Sequence, residues 1–266
     1  MKHFVARCLT LCALLGPVAL APLVAPTPAY SLSDDQIQAK LKEVPGFVLA
    51  RQDGQPLTIT TKDKDGKLEA TLLPVYMVPK AAEESLKNLQ TSNPQLGKEA
   101  RILVVSLAQV QALFMEAVKK DPKFAILLTP DQAQMQAAVP ILKAQGLKDD
   151  DIKKLGMFVP VFFSEITLTV PDQSGKPKVV APFFFENQAA TNIINQAKKQ
   201  NADLAKKDLK VQAAPLSAIL QQLKEAKPDS SWSDVQLIPT EDSLAFARKL
   251  QGSNGNTPAA TPAPSK

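Results

Sequence analysis

The side chains that carry most enzyme chemistry are confined to the very start of this chain. Its only histidine, His3, and its only cysteines, Cys8 and Cys12, all precede residue 13. Lys2 and Arg7 lead into an apolar run from Cys8 to Ala25, and Ala29 and Ser31 supply small residues for cleavage after Ser31 or after Ala29. A positive start, an apolar stretch and small residues make the pattern of a secretory signal peptide, expected over residues 1–31. Gly16, Pro17 and Pro22 disfavour a persistent spanning helix there. Lipidation at Cys12 is the weaker alternative, because Leu11 precedes it where a small residue is expected. Once the leader is removed, no thiolate and no imidazole remain. Zinc sites of the usual N/S kind, haem ligation by His or Cys, disulfides, and Ser-His-Asp or Cys-His catalysis are thereby excluded.

Carboxylates, lysines and hydroxyls are what is left. Glu165 and Glu186 each stand beside aromatic residues near a strand end, and a carboxylate pair is the minimum for glycoside hydrolysis. Their spacing in the sequence sets no distance between them, and solvated charges at strand ends are the commoner outcome. Asp63-Lys64-Asp65-Gly66 resembles a calcium loop until position 12 is reached, where Leu72 replaces the required Glu. A hairpin turn is the expected reading, and Asp53-Gly54 and Ser174-Gly175 read the same way. Asp149-Asp150-Asp151 followed by Lys153 and Lys154 fits a helix aligned with its own dipole. No glycine-rich phosphate cradle, nucleophile elbow or Ser-x-x-Lys motif occurs. No cofactor is expected.

Net charge is +5, or +3 without Lys2 and Arg7. A surplus that small argues against nucleic acid as a partner. Five lysines between Lys198 and Lys210, set against Asp203 and Asp208, hold a local charge of +3. A solvated helix face is the plain reading, with peripheral contact to an anionic membrane surface as the alternative. Beyond the leader no run approaches the ~18–20 apolar residues that span a bilayer.

Phenylalanine is unevenly placed. Phe158, Phe162, Phe163, Phe183, Phe184 and Phe185 fall within 28 residues. Neighbours in a strand point to opposite faces, so some of this aromatic surface must lie on a second face. Helices on both faces would bury it. Otherwise it forms an exposed groove, the usual mark of a protein or peptide site. The expected lining of such a groove is Phe47, Tyr76, Phe162, Phe163 and Phe184.

The elements that would position these residues read clearly at the N-terminus. Ser33 and Gln36 form a capping box, Leu32 can staple onto Ile37, and Ile37, Leu41 and Val44 make one apolar stripe. The remainder falls into two similar stretches. Val44-Pro45-Gly46-Phe47 matches Val159-Pro160-Val161-Phe162, and Leu73-Pro74-Val75-Tyr76 matches Ala181-Pro182-Phe183-Phe184. Two helices share a stripe, Leu107, Val110 and Phe114 against Leu216, Ile219 and Leu223. Ile126-Leu127-Leu128-Thr129-Pro130-Asp131 matches Leu237-Ile238-Pro239-Thr240-Glu241-Asp242. The expected class is therefore α/β (α+β), an internal duplication of a β-β-α-β-α-β-α unit with mixed sheets and helices packed on them. The expected division is a signal over 1–31, an N-terminal helix and first repeat over 32–145, a linker over 146–157, a second repeat over 158–250 and a disordered tail over 251–266.

The repeated Val-Pro-x-Phe, the Pro-x-Phe/Tyr strand before a helix and the Thr-Pro-Asp-Gln helix start resemble the soluble 22-kDa subunit family of the chloroplast inner-envelope translocon (Tic). The resemblance covers about Leu41 to Leu250. It departs at Gly46, where the second stretch keeps Val161. What the resemblance implies is a non-enzymatic factor acting between two membranes. Its partners would be unfolded precursor proteins and the outer-membrane β-barrel assembly machinery. With the export signal, the expected place is the periplasm of a cyanobacterial-type cell, with a thylakoid association as the alternative. The function expected is chaperone-like holding of exported precursors. A carboxylate-dependent hydrolase and a structural envelope protein without clients are the alternatives.

Overall fold

A computed structural model describes residues 32–172, 174–227 and 230–253. The expected signal peptide, and the tail from residue 254 onward, lie outside the described residues. The first half holds α1 (Asp34–Lys42), β1 (Pro45–Ala50), β2 (Ile59–Lys62), β3 (Leu68–Tyr76), α2 (Pro79–Ser92), α3 (Pro94–Glu99), β4 (Arg101–Ser106), α4 (Leu107–Lys120), β5 (Phe124–Thr129), α5 (Gln132–Ala144) and α6 (Asp149–Lys154). The second holds β6 (Pro160–Phe163), β7 (Leu168–Pro171), β8 (Pro177–Phe184), α7 (Asn187–Gln200), α8 (Ala202–Ala205), β9 (Gln212–Pro215), α9 (Leu216–Glu225), β10 (Val235–Ile238) and α10 (Glu241–Ser253). The class is α/β, with mixed sheets as expected.

Both halves pair their strands in the same way. β1 runs antiparallel to β3 and β4, β2 forms a hairpin with β3, and β5 runs parallel to β3. β6 takes β8 and β9 antiparallel, β7 forms a hairpin with β8, and β10 runs parallel to β8. Phe47 and Phe162 hold matching places, opposite Val104 and Ala213 respectively.

Each half carries one strand and one short helix more than expected. β2 and β7 are short, largely exposed and lack an apolar run, so turn chemistry rather than hydrophobicity makes them. The Asp63 carboxylate accepts the N–H groups of Asp65 and Lys67 at 2.9 and 2.8 Å, and Asp172 accepts those of Ser174 and Lys176 at 2.8 and 2.9 Å. Gly66 and Gly175 complete those turns at φ of 76° and 79°, which a glycine adopts freely. The added helices α3 and α8 start at side-chain N-caps, Asn93 and Asn201.

The predicted capping box is present, with Ser33 N–H donating to Gln36 Oε1 at 2.9 Å and Gln36 N–H to Ser33 Oγ at 3.2 Å. The expected linker contains α6, with its three aspartates in the first turn and Lys153 and Lys154 in the last. α10 continues through Gln251 to Ser253, three residues past the boundary set for the tail.

The inner faces of the two sheets meet in one apolar cluster. Val48, Leu73 and Val75 come from the first sheet, Val161, Phe183 and Leu237 from the second, with α1, α4 and α9 filling in. The outer faces are covered by exchanged helices. α10, from the end of the second half, packs on β1, β4 and α2, while α5, from the first half, packs on β6, β9 and α7. Phe246 of α10 meets Phe47 edge to face at 5.5 Å, and Ser243 Oγ donates to the Met77 carbonyl at 3.1 Å. Across the molecule, Ala138 and Leu142 of α5 pack against Phe162 and Phe184.

Candidate functional site

The aromatic residues predicted to line a groove do not come together on a surface. Phe47 and Phe162 are fully buried and Phe184 is 8% exposed. This corrects the expectation at those three positions. The exchanged helices α10 and α5 lie on the outer sheet faces and bury these phenylalanines, the covered outcome of the two that the sequence left open. Phe163 is half-buried and stacks on Phe183, ring centroids 4.5 Å apart. Tyr76 is half-buried at the edge of a recess of about 340 Å³ between the first sheet and α2, and its hydroxyl shares a hydrogen bond with Ser85. Arg51, Gln55 and Thr58 make that recess mixed in polarity.

A second cleft, of about 230 Å³, is almost wholly apolar. Three amphipathic helices build it, because each turns its stripe toward the same place. α1 contributes Ile37 and Leu41, α4 contributes Leu107, Val110 and Phe114, and α9 contributes Leu216 and Leu220. Its floor is Ile126 and Leu128 of β5. Two polar groups interrupt this lining. Lys224 is exposed at the rim. Gln111 lines the wall with its Oε1 buried and without a hydrogen-bond partner. An unpaired buried carbonyl is costly and accepts any donor brought to it. In the sequence the stripes on α4 and α9 stand out only as matching positions of the two stretches. The signal it lacked was their convergence with α1 and β5.

The remaining candidates are dispersed. Glu165 is exposed in the loop after β6, and Glu186 stands half-buried at the N-cap of α7, where its side chain makes no capping bond. No group of three or more metal-ligating side chains occurs among the described residues. Asp149 pairs with Lys143 at 2.7 Å, and that hydrogen-bonded charge holds its carboxyl below the usual range. The pair is exposed, where such bridges contribute little. Lys206 and Lys210 pair with Asp203 and Asp208 at 3.9 and 2.9 Å, also in solvent. Among the described residues no helix is long and apolar enough to cross a membrane.

One half-buried lysine ties the two halves together. Lys40 of α1 donates from Nζ to the carbonyls of Ser233 and Val235, both at 2.7 Å. Burial, and secondarily Lys178, push its pKa below the ordinary value, while Asp234 opposes the shift. Together with the Leu32 N–H donating to the Ala226 carbonyl, it fastens α1 to the second half and so sets one wall of the cleft.

The sequence pattern of the Tic22-like family matches residues 18–249. The chain belongs to the Tic22-like family. Two solved Tic22 structures share its fold. Tic22 from Anabaena, described as a protein-transport protein, is 22% identical with a TM-score of 0.66, over 82% of this chain and 97% of that one. Tic22 from Plasmodium falciparum is 18% identical with a TM-score of 0.63, over 82% and 98% of the two chains. Among curated proteins no match is found.

Proposed function

We propose that this chain is a chaperone-like, non-enzymatic protein-transport factor that holds unfolded exported precursors. The observation that carries the reading is the apolar cleft between α1, α4, α9 and β5. Apolar surface left in contact with water is unfavourable unless something covers it, and at ~25 cal/mol per Å² an apolar segment of a client gains by doing so. The description of Anabaena Tic22 as a protein-transport protein supports the same class of function. Export to the periplasm, with thylakoid association as the alternative, follows from the leader pattern at 1–31. The proposed recipient of the clients is the outer-membrane β-barrel assembly machinery. No nucleotide-binding motif occurs in the sequence, so release is by hand-over to a tighter-binding partner.

The test is suppression of aggregation. Purified protein, added to an outer-membrane precursor diluted from urea, is expected to delay light scattering. Leu220→Asp, which places a charge on the half-buried cleft wall, is expected to abolish that delay while the far-UV spectrum stays unchanged. Unaltered protection by the Leu220→Asp protein would remove the cleft from the mechanism. No protection by the parent protein would remove the client-binding function.

A further inference from the structure

The four outer edges of the two sheets are treated unequally. In the second sheet, Ala213 of β9 points its N–H and C=O away from β6. Both are taken by the side chain of Gln145, at 2.8 and 3.1 Å, in the manner of a neighbouring strand. At β10 the outward carbonyl of Val235 is taken by Lys40, and Val235 and Leu237 are buried, 4% and 1% exposed. Each of these plugs comes from the first half of the chain.

The corresponding edge of the first sheet has no such plug. Thr71 N–H donates to the Lys123 carbonyl and Met77 N–H to the Thr129 carbonyl. In a parallel ladder the bonding residues of one strand alternate, so Ala125 and Leu127 serve β3. Ile126 and Leu128 therefore turn their N–H and C=O groups to the open side, and among the described residues nothing bonds them. Both are half-buried rather than buried, unlike Val235 and Leu237. The same two residues floor the apolar cleft. β5 is six residues long and carries neither the charge nor the proline that commonly blunts a free edge.

We propose that β5 is a strand-accepting edge. An extended segment of an unfolded client pairs its backbone with Ile126 and Leu128 and sends alternate apolar side chains into the cleft. The proposal rests on the client-binding reading above and specifies the client's conformation. Main-chain hydrogen bonds supply affinity for any sequence, and the cleft selects an apolar residue at every second position. That alternation is the signature of transmembrane β-barrel strands, whose lipid-facing and lumen-facing residues alternate. A uniformly helical apolar segment satisfies its own backbone and gains nothing from the edge.

The probe is a ten-residue synthetic peptide alternating Val and Thr, with two N-methylated forms blocking either the even or the odd amides. N–H direction and side-chain direction both alternate along a strand, so only one set of amides faces β5. The unmodified peptide is expected to bind, one N-methylated form to lose at least tenfold in affinity, and the other to bind like the parent. With bound peptide, amide exchange at Ile126 and Leu128 is expected to slow at least tenfold, against little change at Ala125 and Leu127. Equal binding by both N-methylated forms overturns the pairing, as does protection at Ile102 and Val104 of β4 instead. If the protein protects an unfolded precursor yet does not bind the peptide, strand pairing is wrong and client binding stands. If it binds neither, both fall.

Discussion

Gly46 lies so close to Val75 that a Cβ built on it would come within 2.8 Å of Val75 Cγ1. The second half places Val161 at the matching position, which is why the two stretches depart from one another there. Restoring the likeness by Gly46→Val overpacks the inner face of the first sheet. It is expected to cost ~1–3 kcal/mol in denaturant unfolding, the usual penalty for added methyls in a packed core. Lys40 is the second informative residue. Its pKa is lowered chiefly by burial, so from that lowered value up to 10.5 the folded chain binds fewer protons than the unfolded one. Stability supplied by this group therefore rises with pH through that window, and below it both states are protonated and the contribution is constant. Lys40→Met, which keeps the stem and removes the ammonium, is expected to cost ~1–3 kcal/mol near neutrality because two charge-assisted bonds are lost. Its stability gap to the wild type is expected to widen as pH rises through the alkaline window. Neither residue's role could be read from sequence, since each depends on a neighbour about 30 to 195 positions away.

Local rules made the helices legible. The Ser33 box, the aspartates opening α6 and the apolar stripes of α1, α4 and α9 all depend on near neighbours and stand where predicted. Burial of the phenylalanines did not follow from local rules, because the helices that cover them come from the opposite half of the chain. Nor did the treatment of the sheet edges, where a single side chain replaces a strand. Gln145 is the clearest case. Gln145→Ala frees the N–H and C=O of Ala213, and amide exchange at Ala213 is expected to accelerate while exchange at Ala214, bonded to Val161, stays slow. Unchanged exchange at Ala213 would mean that α5 covers this edge without the glutamine. The same logic applies to β5, which the sequence offers only as a short apolar strand matching Leu237-Ile238. Its composition is that of a strand with neighbours on both sides, yet β5 pairs with β3 alone among the described strands.

At the scale of the whole molecule, the exchange of α5 and α10 decides how the protein unfolds. Two halves with identical pairings could in principle melt separately. Here each half supplies the outer layer of the other, and the inner faces of both sheets share one cluster. A loss in the first half must therefore weaken the second. Phe47→Ala provides the perturbation, because Phe47 is fully buried in the first sheet and packs against Phe246. Truncations of this kind cost ~3–5 kcal/mol, a large share of the ~5–15 kcal/mol that holds a domain together. Trp232, the chain's only tryptophan, provides the local reporter, since it packs against Phe183 in the second sheet. In a cooperative molecule the denaturant midpoint of Trp232 fluorescence is expected to fall by the same amount as the midpoint of far-UV dichroism. A Trp232 midpoint left in place by Phe47→Ala, with only part of the dichroism lost early, would show the halves to be independent and the exchanged helices to be a cover rather than a coupling.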